Sequence, residues 1–129
     1  MARILVIDDE PAVRATLMQV LKRGGHEPAG AAGVDEGLAY AAAHPIDVVI
    51  TDMFMPGRDG FAAIDEFRRR LPGVGVIAMS GGGALGMKDV LEIARCLGVA
   101  TIEKPVSPAR LREVVDGVLG KVTAGGTRP

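Results

Sequence analysis

One carboxylate, Asp52, stands where a buried segment of the chain ends and a turn begins. The residues before it, 48–51, are all β-branched and mostly apolar, a pattern typical of a parallel strand that is covered on both faces. The turn dipeptides that follow are Pro56-Gly57 and Asp59-Gly60. In open α/β sheets, ligands and reacting groups lie at the carboxyl ends of the strands. A carboxylate in that place can act as a nucleophile, a metal ligand or a helix cap.

Three further predicted strands also end in polar side chains. Asp8 and Asp9 follow residues 3–7, Ser80 follows residues 74–79, and Lys104 follows residues 101–103. If the strands take the doubly wound order 2-1-3-4-5, the first and third are neighbours and three carboxylates converge. Such carboxylates repel one another, and Mg²⁺ suits a site of carboxylates, water and a phosphoryl oxygen. With a lysine and a hydroxyl nearby, these are the groups that a carboxylate needs to attack a phosphoryl group.

Helical patterns alternate with the apolar runs and would position these side chains. Five segments have this pattern. The first begins at Pro11, the second and third cover residues 34–44 and 60–70, the fourth follows the loop 81–83, and the fifth begins after Ser107. A weak strand over residues 26–31 contains Pro28, which predicts an edge strand. Five βα units predict one α/β domain over residues 1–120, a parallel sheet with helices on both faces. The Gly-rich residues 121–129 are expected to be disordered.

Length and charge narrow the class of protein. The chain has 129 residues, enough for one domain, with 15 basic and 16 acidic residues and a net charge of −1. That balance argues against nucleic-acid binding driven by bulk charge. No apolar run suggests a signal peptide or a membrane span, and Cys96 has no partner for an internal disulfide. We therefore expect a cytoplasmic protein.

From about Arg3 to Gly120 the sequence resembles the receiver domain of two-component response regulators. The resemblance implies a flavodoxin-like (βα)5 fold with a five-stranded parallel sheet. The positions that match the family's site residues are Asp8, Asp9, Asp52, the backbone carbonyl of Phe54, Ser80 and Lys104 with Pro105. By resemblance, Asp52 is the phosphoryl acceptor, Ser80 is the switch hydroxyl, and the lysine precedes a cis proline. The same resemblance implies that Mg²⁺ is held by the three carboxylates and the Phe54 carbonyl.

The resemblance also implies a role and partners. A histidine kinase or a phosphotransfer protein would donate the phosphoryl group, and the chain would act only on itself, in phosphoryl transfer and self-hydrolysis. An unidentified downstream protein would bind the fourth helix, fifth strand and fifth helix, without direct DNA or membrane binding. With no output domain after the last helix, we expect a stand-alone receiver.

Two departures from the family's pattern bear on mechanism. Thr101 holds the position where the family often has an aromatic switch residue, and Phe54 is bulky where many receivers have a polar side chain. Because every aromatic residue lies earlier in the chain, we expect the signal to pass through residues 81–90 without an aromatic toggle.

Two other functions are compatible with these residue types. A phosphorylation-independent interaction module would leave the acceptor unmodified. A haloacid-dehalogenase-like phosphatase also uses an aspartyl nucleophile and Mg²⁺, but it needs an Asp-x-Asp arrangement on its first strand, where this chain has Asp8-Asp9. The glycines of residues 81–86 match a dinucleotide fingerprint only formally, because they follow the fourth strand. His26 and His44 lie in or beside predicted loops and are not expected to carry a phosphoryl group.

Overall fold

The computed structural model of the protein describes residues 2–55, 58–81 and 98–125. Five parallel strands form the main sheet: β1 (Arg3–Ile7), β2 (Glu27–Ala31), β3 (Val48–Asp52), β6 (Gly75–Gly81) and β7 (Ala100–Lys104). A two-residue pair, β4 (Phe54–Met55) and β5 (Arg58–Asp59), forms a separate antiparallel ribbon after β3. The helices in the described ranges are α1 (Pro11–Arg23), α2 (Val34–Ala43), α3 (Gly60–Arg70) and α4 (Pro108–Gly125).

The order of the main sheet is β2-β1-β3-β6-β7, with every neighbouring pair parallel. When only the five strands of this sheet are numbered along the chain, β6 and β7 are the fourth and fifth. The predicted order 2-1-3-4-5 is therefore confirmed. β2, which contains Pro28, lies at one edge, as the sequence predicts. The reversal of strand order falls between β1 and β3, where doubly wound sheets open a crevice at their carboxyl ends.

The sheet separates two hydrophobic clusters, and the alternation along each strand decides which residue enters which cluster. In β1, Leu5 and Ile7 face one side and Ile4 and Val6 face the other. The first side is covered by α2 and α3, with Phe67 fully buried, and the second by α1 and α4. The central strands β1 and β3 read as nearly continuous apolar runs because both of their faces are buried.

Several details differ from the sequence-based expectations. The segment after Asp52 forms the β4–β5 ribbon, where turn chemistry alone was expected. α4 continues to Gly125, five residues beyond the predicted domain boundary at Gly120.

The helix predicted after the loop 81–83, including Cys96, falls in residues 82–97, which lie outside the described residues, as do residues 126–129. None of the described helices has the length and hydropathy that a bilayer span requires.

Candidate functional site

Asp8 follows β1 directly, and its side chain is fully buried. Its backbone N–H donates to the carbonyl of Ala31 in β2 over 3.1 Å. Its Oδ1 accepts the backbone N–H of Glu10 over 2.9 Å, an Asx turn that shapes the chain just before α1. The helix N-cap residue is Glu10, so Asp8 holds the turn in front of the helix and does not cap it. The other carboxylate oxygen of Asp8 stays available for an ion pair.

Asp52 is the last residue of β3 and is 4% exposed. It pairs in register with Met79 of β6, and the next residue, Met53, donates its N–H to the Met79 carbonyl over 2.8 Å. On the other side, Thr51 pairs with Ile7 of β1. This backbone is therefore held between two neighbouring strands, and the register brings Asp52 beside Asp8. The sheet order thus produces the predicted meeting of the first and third strand ends.

Lys104, the last residue of β7, joins these two carboxylates. Its Nζ donates to Asp8 Oδ2 over 2.7 Å and to Asp52 Oδ2 over 2.9 Å. The lysine side chain is only 15% exposed. Burial by itself lowers the pKa of the Lys104 ammonium, but the hydrogen bonds and the charges of Asp8 and Asp52 outweigh burial, so its pKa lies above 10.5. The Lys104–Pro105 peptide bond is cis, as the family resemblance implies.

Asp9 completes a group of three carboxylates. One oxygen each from Asp8, Asp9 and Asp52 lies within 4.8 Å of the others. With the Lys104 ammonium, the four side chains carry three negative charges and one positive charge, a net formal charge of −2. A small divalent cation with oxygen ligands matches both this charge and these donors. The donor set therefore fits the predicted Mg²⁺, with the exposed Asp9 on the solvent side.

Ser80 and Phe54 are the remaining predicted site residues. Ser80 is fully buried near the carboxyl end of β6 and pairs in register with Glu103 of β7, one residue before Lys104. Its hydroxyl therefore belongs to the same edge of the sheet as the carboxylates. The backbone of Phe54 lies in β4, two residues after Asp52. A metal contact by its carbonyl stays a prediction.

Two histidines that the sequence places outside the chemistry have local contacts. The Nδ1 atom of His26 accepts the backbone N–H of Ala2 over 3.2 Å. The His44 ring stacks on Tyr40 with a centroid separation of 4.1 Å. Neither contact involves the site. Thr101 is half-buried in β7 and pairs with Ala78 of β6.

Arg14 contacts the site although no motif singles it out. Its Nη1 donates to the backbone carbonyl of Asp8 over 2.7 Å. The only signal in the sequence is a cation one turn into the helix that follows the acidic pair. Such a signal is weak, because an arginine in that place is usually solvated.

Sequence comparisons agree with this geometry. Residues 4–116 match the family model described as the response regulator receiver domain. The chain is 35% identical to a response regulator receiver protein of Anaeromyxobacter sp. (strain Fw109-5), over 88% of this chain and 47% of the relative. It is 33% identical to the chemotaxis protein CheY of Treponema pallidum, over 91% of this chain and 82% of the relative. The chain spans about half the length of the first curated relatives it matches.

Solved structures share the fold. A response regulator receiver domain protein from Clostridium thermocellum superposes with a TM-score of 0.85 at 31% identity, covering 96% of this chain and 98% of the other. A CheY-like receiver domain protein from Methanospirillum hungatei gives a TM-score of 0.86 at 28% identity, with 98% and 99% covered. The fold is thus the flavodoxin-like doubly wound sheet of these receivers. The chain belongs to the response regulator receiver domain family, a family of signalling modules of two-component systems and not of conventional enzymes.

Proposed function

We propose that this receiver accepts a phosphoryl group on Asp52 in a Mg²⁺-dependent reaction and signals by the conformational change that follows. The observation that carries the proposal is the meeting of three strand ends, where Lys104 bridges Asp8 and Asp52 and an oxygen of Asp9 lies within 4.8 Å of an oxygen of each. A structural ion pair needs one carboxylate for one ammonium. Here there are three carboxylates, an excess of negative charge that suits a cation and a phosphoryl group together.

Asp8, Asp9 and Asp52 would hold the metal, with the Phe54 carbonyl as a further ligand. Bound Mg²⁺ supplies neutralisation of the charge on the phosphoryl oxygens and on the carboxylates. The crystal structure of TrrA from Thermotoga maritima is in complex with Mg²⁺ and BeF, and it resembles this chain with a TM-score of 0.76 at 28% identity, covering 92% of this chain and 99% of the other. This likeness supports a Mg²⁺ site in this chain, because the three carboxylates here offer the oxygen donors that Mg²⁺ prefers.

The chain's own residues would carry out the transfer. A carboxylate oxygen of Asp52 forms a bond to phosphorus while the bond between phosphorus and the donor's leaving group breaks, and the leaving group departs with the electron pair. Lys104, already within 2.9 Å of Asp52, supplies a positive charge for the incoming phosphoryl oxygens. Ser80 supplies a hydroxyl donor from the neighbouring strand. Attack by water on the same phosphorus would later restore the carboxylate.

The donor and target follow from the family role. A histidine kinase or a phosphotransfer protein would present a phosphorylated imidazole, whose nitrogen takes the electron pair and a proton on leaving. The downstream partner would bind the surface of the predicted helix in residues 82–97, together with β7 and α4, in the cytoplasm. Nucleic acid is a poor candidate, because the basic end of α3 is partly neutralised: Arg69 pairs with Asp65 and Arg70 pairs with Glu66.

Phosphorylation of Asp52 can be tested with a small donor. The wild type incubated with acetyl phosphate and Mg²⁺ should gain the mass of one phosphoryl group, measured by intact mass spectrometry of the undigested protein. The Asp52→Asn variant should gain none, because an amide oxygen is a poor nucleophile. Asp65→Asn, which removes an exposed carboxylate on α3, should behave like the wild type.

The same experiment separates the alternatives. A wild type that stays unmodified with Mg²⁺ would favour the phosphorylation-independent module. Labelling that is alkali-labile and acid-stable in Asp52→Asn would move the acceptor to another carboxylate. Repeated turnover of small phosphate esters would favour the haloacid-dehalogenase-like phosphatase, although the acceptor here lies on the third strand of the chain.

A further inference from the structure

Arg14 lies in the second turn of α1, half-buried beside the acidic pair. Its guanidinium Nη1 is 2.7 Å from the backbone oxygen of Asp8, the oxygen of the peptide bond that joins Asp8 to Asp9. Hydrogen bonds from a charged donor are shorter and stronger than neutral ones. The contact thus holds the connection between two of the three carboxylates.

A planar peptide bond transmits this hold to the next residue. The Asp8 carbonyl and the Asp9 N–H lie in one rigid plane, so fixing the oxygen also fixes the direction in which the chain enters Asp9. The other polar atoms of Asp8 are engaged by Ala31, Glu10 and Lys104. The backbone and the side chain of Asp8 are therefore both held by hydrogen bonds. Of the two neighbouring aspartates, only Asp9 keeps conformational freedom in its side chain.

Asp9 depends on its backbone for its position. Its side chain is exposed, and within the described residues no hydrogen bond or ion pair holds its carboxylate. Even so, one of its oxygens lies within 4.8 Å of oxygens of Asp8 and Asp52. Because no side-chain contact in the described part of the chain holds the Asp9 carboxylate near the other two, its position depends on the orientation of the Asp8–Asp9 peptide.

Gly30 in β2 leaves the space that the stem of Arg14 occupies. A Cβ at this position would lie 3.0 Å from Arg14 Cδ, 3.2 Å from Arg14 Cγ and 2.8 Å from Met18 Sδ. The arginine stem therefore crosses close over the backbone of the edge strand, in space that a side chain at residue 30 would occupy. Because the stem packs against this backbone, part of its rotational freedom is already lost before the guanidinium binds the Asp8 carbonyl.

We propose that Arg14 is a positioning residue of the metal site, which orients the Asp8–Asp9 peptide and thereby the Asp9 carboxylate toward Mg²⁺. The inference rests on the proposed Mg²⁺ site. A positioning role and a purely electrostatic role predict opposite changes in Mg²⁺ affinity when the guanidinium of Arg14 is removed. Loss of a positive charge beside three carboxylates would strengthen cation binding, whereas loss of the orienting hydrogen bond weakens it.

The test compares the Mg²⁺ affinities of Arg14→Met and the wild type at constant ionic strength. The methionine keeps much of the stem and removes the donor. Amide chemical shifts followed during a MgCl₂ titration suit this chain, which has no tryptophan for a fluorescence readout. We expect the dissociation constant to rise about tenfold, the lower end of the effect of losing an outer partner of a metal ligand. Arg23→Met, at the far end of α1 about 14 Å along the helix axis, should leave it nearly unchanged.

A second readout separates positioning from a general loss of structure. Raising Mg²⁺ to saturation should restore the initial rate of phosphorylation of Arg14→Met by acetyl phosphate toward the wild-type rate. Circular dichroism identifies a variant that does not fold, and Arg14→Gln, which is too short to reach the carbonyl, then replaces it.

The outcomes are distinct. Equal or tighter Mg²⁺ binding by Arg14→Met overturns the positioning role, as does a rate defect of the same size at every Mg²⁺ concentration. A wild type that binds no Mg²⁺ overturns the proposed metal site and this inference together. A wild type that binds Mg²⁺ while Arg14→Met binds it about tenfold more weakly supports both.

Discussion

At the scale of single residues, Lys104 is the centre of the electrostatics. It is bound by two carboxylates at once, 2.7 Å from Asp8 and 2.9 Å from Asp52, and Asp52, the proposed acceptor, is 4% exposed. Such an ammonium can stabilise the unphosphorylated site and then move its contact from the Asp52 carboxylate to an oxygen of a bound phosphoryl group. The same side chain would therefore act before and after transfer.

The raised pKa of Lys104 makes a prediction about stability and pH. A lysine whose pKa is higher in the folded state stabilises the fold fully below its unfolded pKa of 10.5, and this stabilisation is lost as the pH rises through the folded pKa. Without Mg²⁺, Lys104→Met should unfold more easily than the wild type by about 2–3 kcal/mol at pH 7, somewhat less than for a fully buried ion pair. Urea unfolding followed by circular dichroism at a series of pH values measures the difference.

The pH series contains its own control. The difference between wild type and Lys104→Met should stay constant up to about pH 10.5 and shrink above it, because only the wild type loses a charge at this position. A difference that already shrinks between pH 6 and 8 would show that another group is responsible. Lys22→Met, which removes an exposed charge in the last turn of α1, should show neither effect.

At the scale of elements, the start of α3 packs closely against Met53, the residue that follows Asp52. A Cβ on Gly60 would lie 2.7 Å from the Met53 carbonyl oxygen and 2.9 Å from Met53 Cα. Both are backbone atoms, so no side-chain rotation can relieve the contact. Met53 is itself 4% exposed and bound through its N–H to Met79. The helix therefore begins at a glycine because the backbones of α3 and residue 53 approach closely.

We predict that Gly60→Ala lowers the free energy of unfolding by about 1–3 kcal/mol, the usual cost of overpacking. The matched control is Gly120→Ala in α4, where a Cβ meets nothing within 4 Å. That substitution should raise the free energy of unfolding by about 0.5–1 kcal/mol, because alanine favours a helix over glycine. Chemical denaturation of both variants gives the comparison, and equal effects of the same sign would contradict the close approach at Gly60.

At the scale of the whole molecule, the two hydrophobic clusters lie on the two faces of the sheet, and the polar site lies at the carboxyl ends of its strands. Because the polar residues lie together at the carboxyl ends of the strands, a change in charge there affects the loops that follow these strands. Ser80 is buried at this edge, and the segment that follows it leads into residues 82–97. On β7, Thr101 holds the position where receivers often have an aromatic switch residue. The loop after Ser80 is therefore the proposed route for the signal.

Amide hydrogen exchange tests this route. Binding of a beryllofluoride mimic with Mg²⁺ should change the protection of residues 81–90, because Ser80 is drawn toward the new acceptor atoms on Asp52. The interior of α1 should exchange equally in both states. Ser80→Ala should reduce the change in residues 81–90 without abolishing binding of the mimic. Equal protection of these residues with and without the mimic would contradict the mechanism.

The sequence by itself determined the class of fold and predicted which charged side chains meet at the carboxyl ends of the strands. Both depend on local patterns: apolar β-branched runs such as residues 48–51 require burial on both faces, and a polar side chain at the end of each run marks one edge of a parallel sheet. The edge position of β2 followed from Pro28 for an equally local reason, the missing N–H.

Only the tertiary structure decided how these residues meet. The hydrogen bond from Lys104 to Asp8 joins residues 96 positions apart, and the second hydrogen bond of Lys104, to Asp52, depends on the packing of three strands. The contact of Arg14 with the Asp8 carbonyl depends on the space left by Gly30 in another strand. Hydrophobic periodicity shows which face of an element is buried, but it does not specify which polar atoms lie opposite one another. Those distances are set when the elements pack, because packing fixes side-chain rotamers and strand register together.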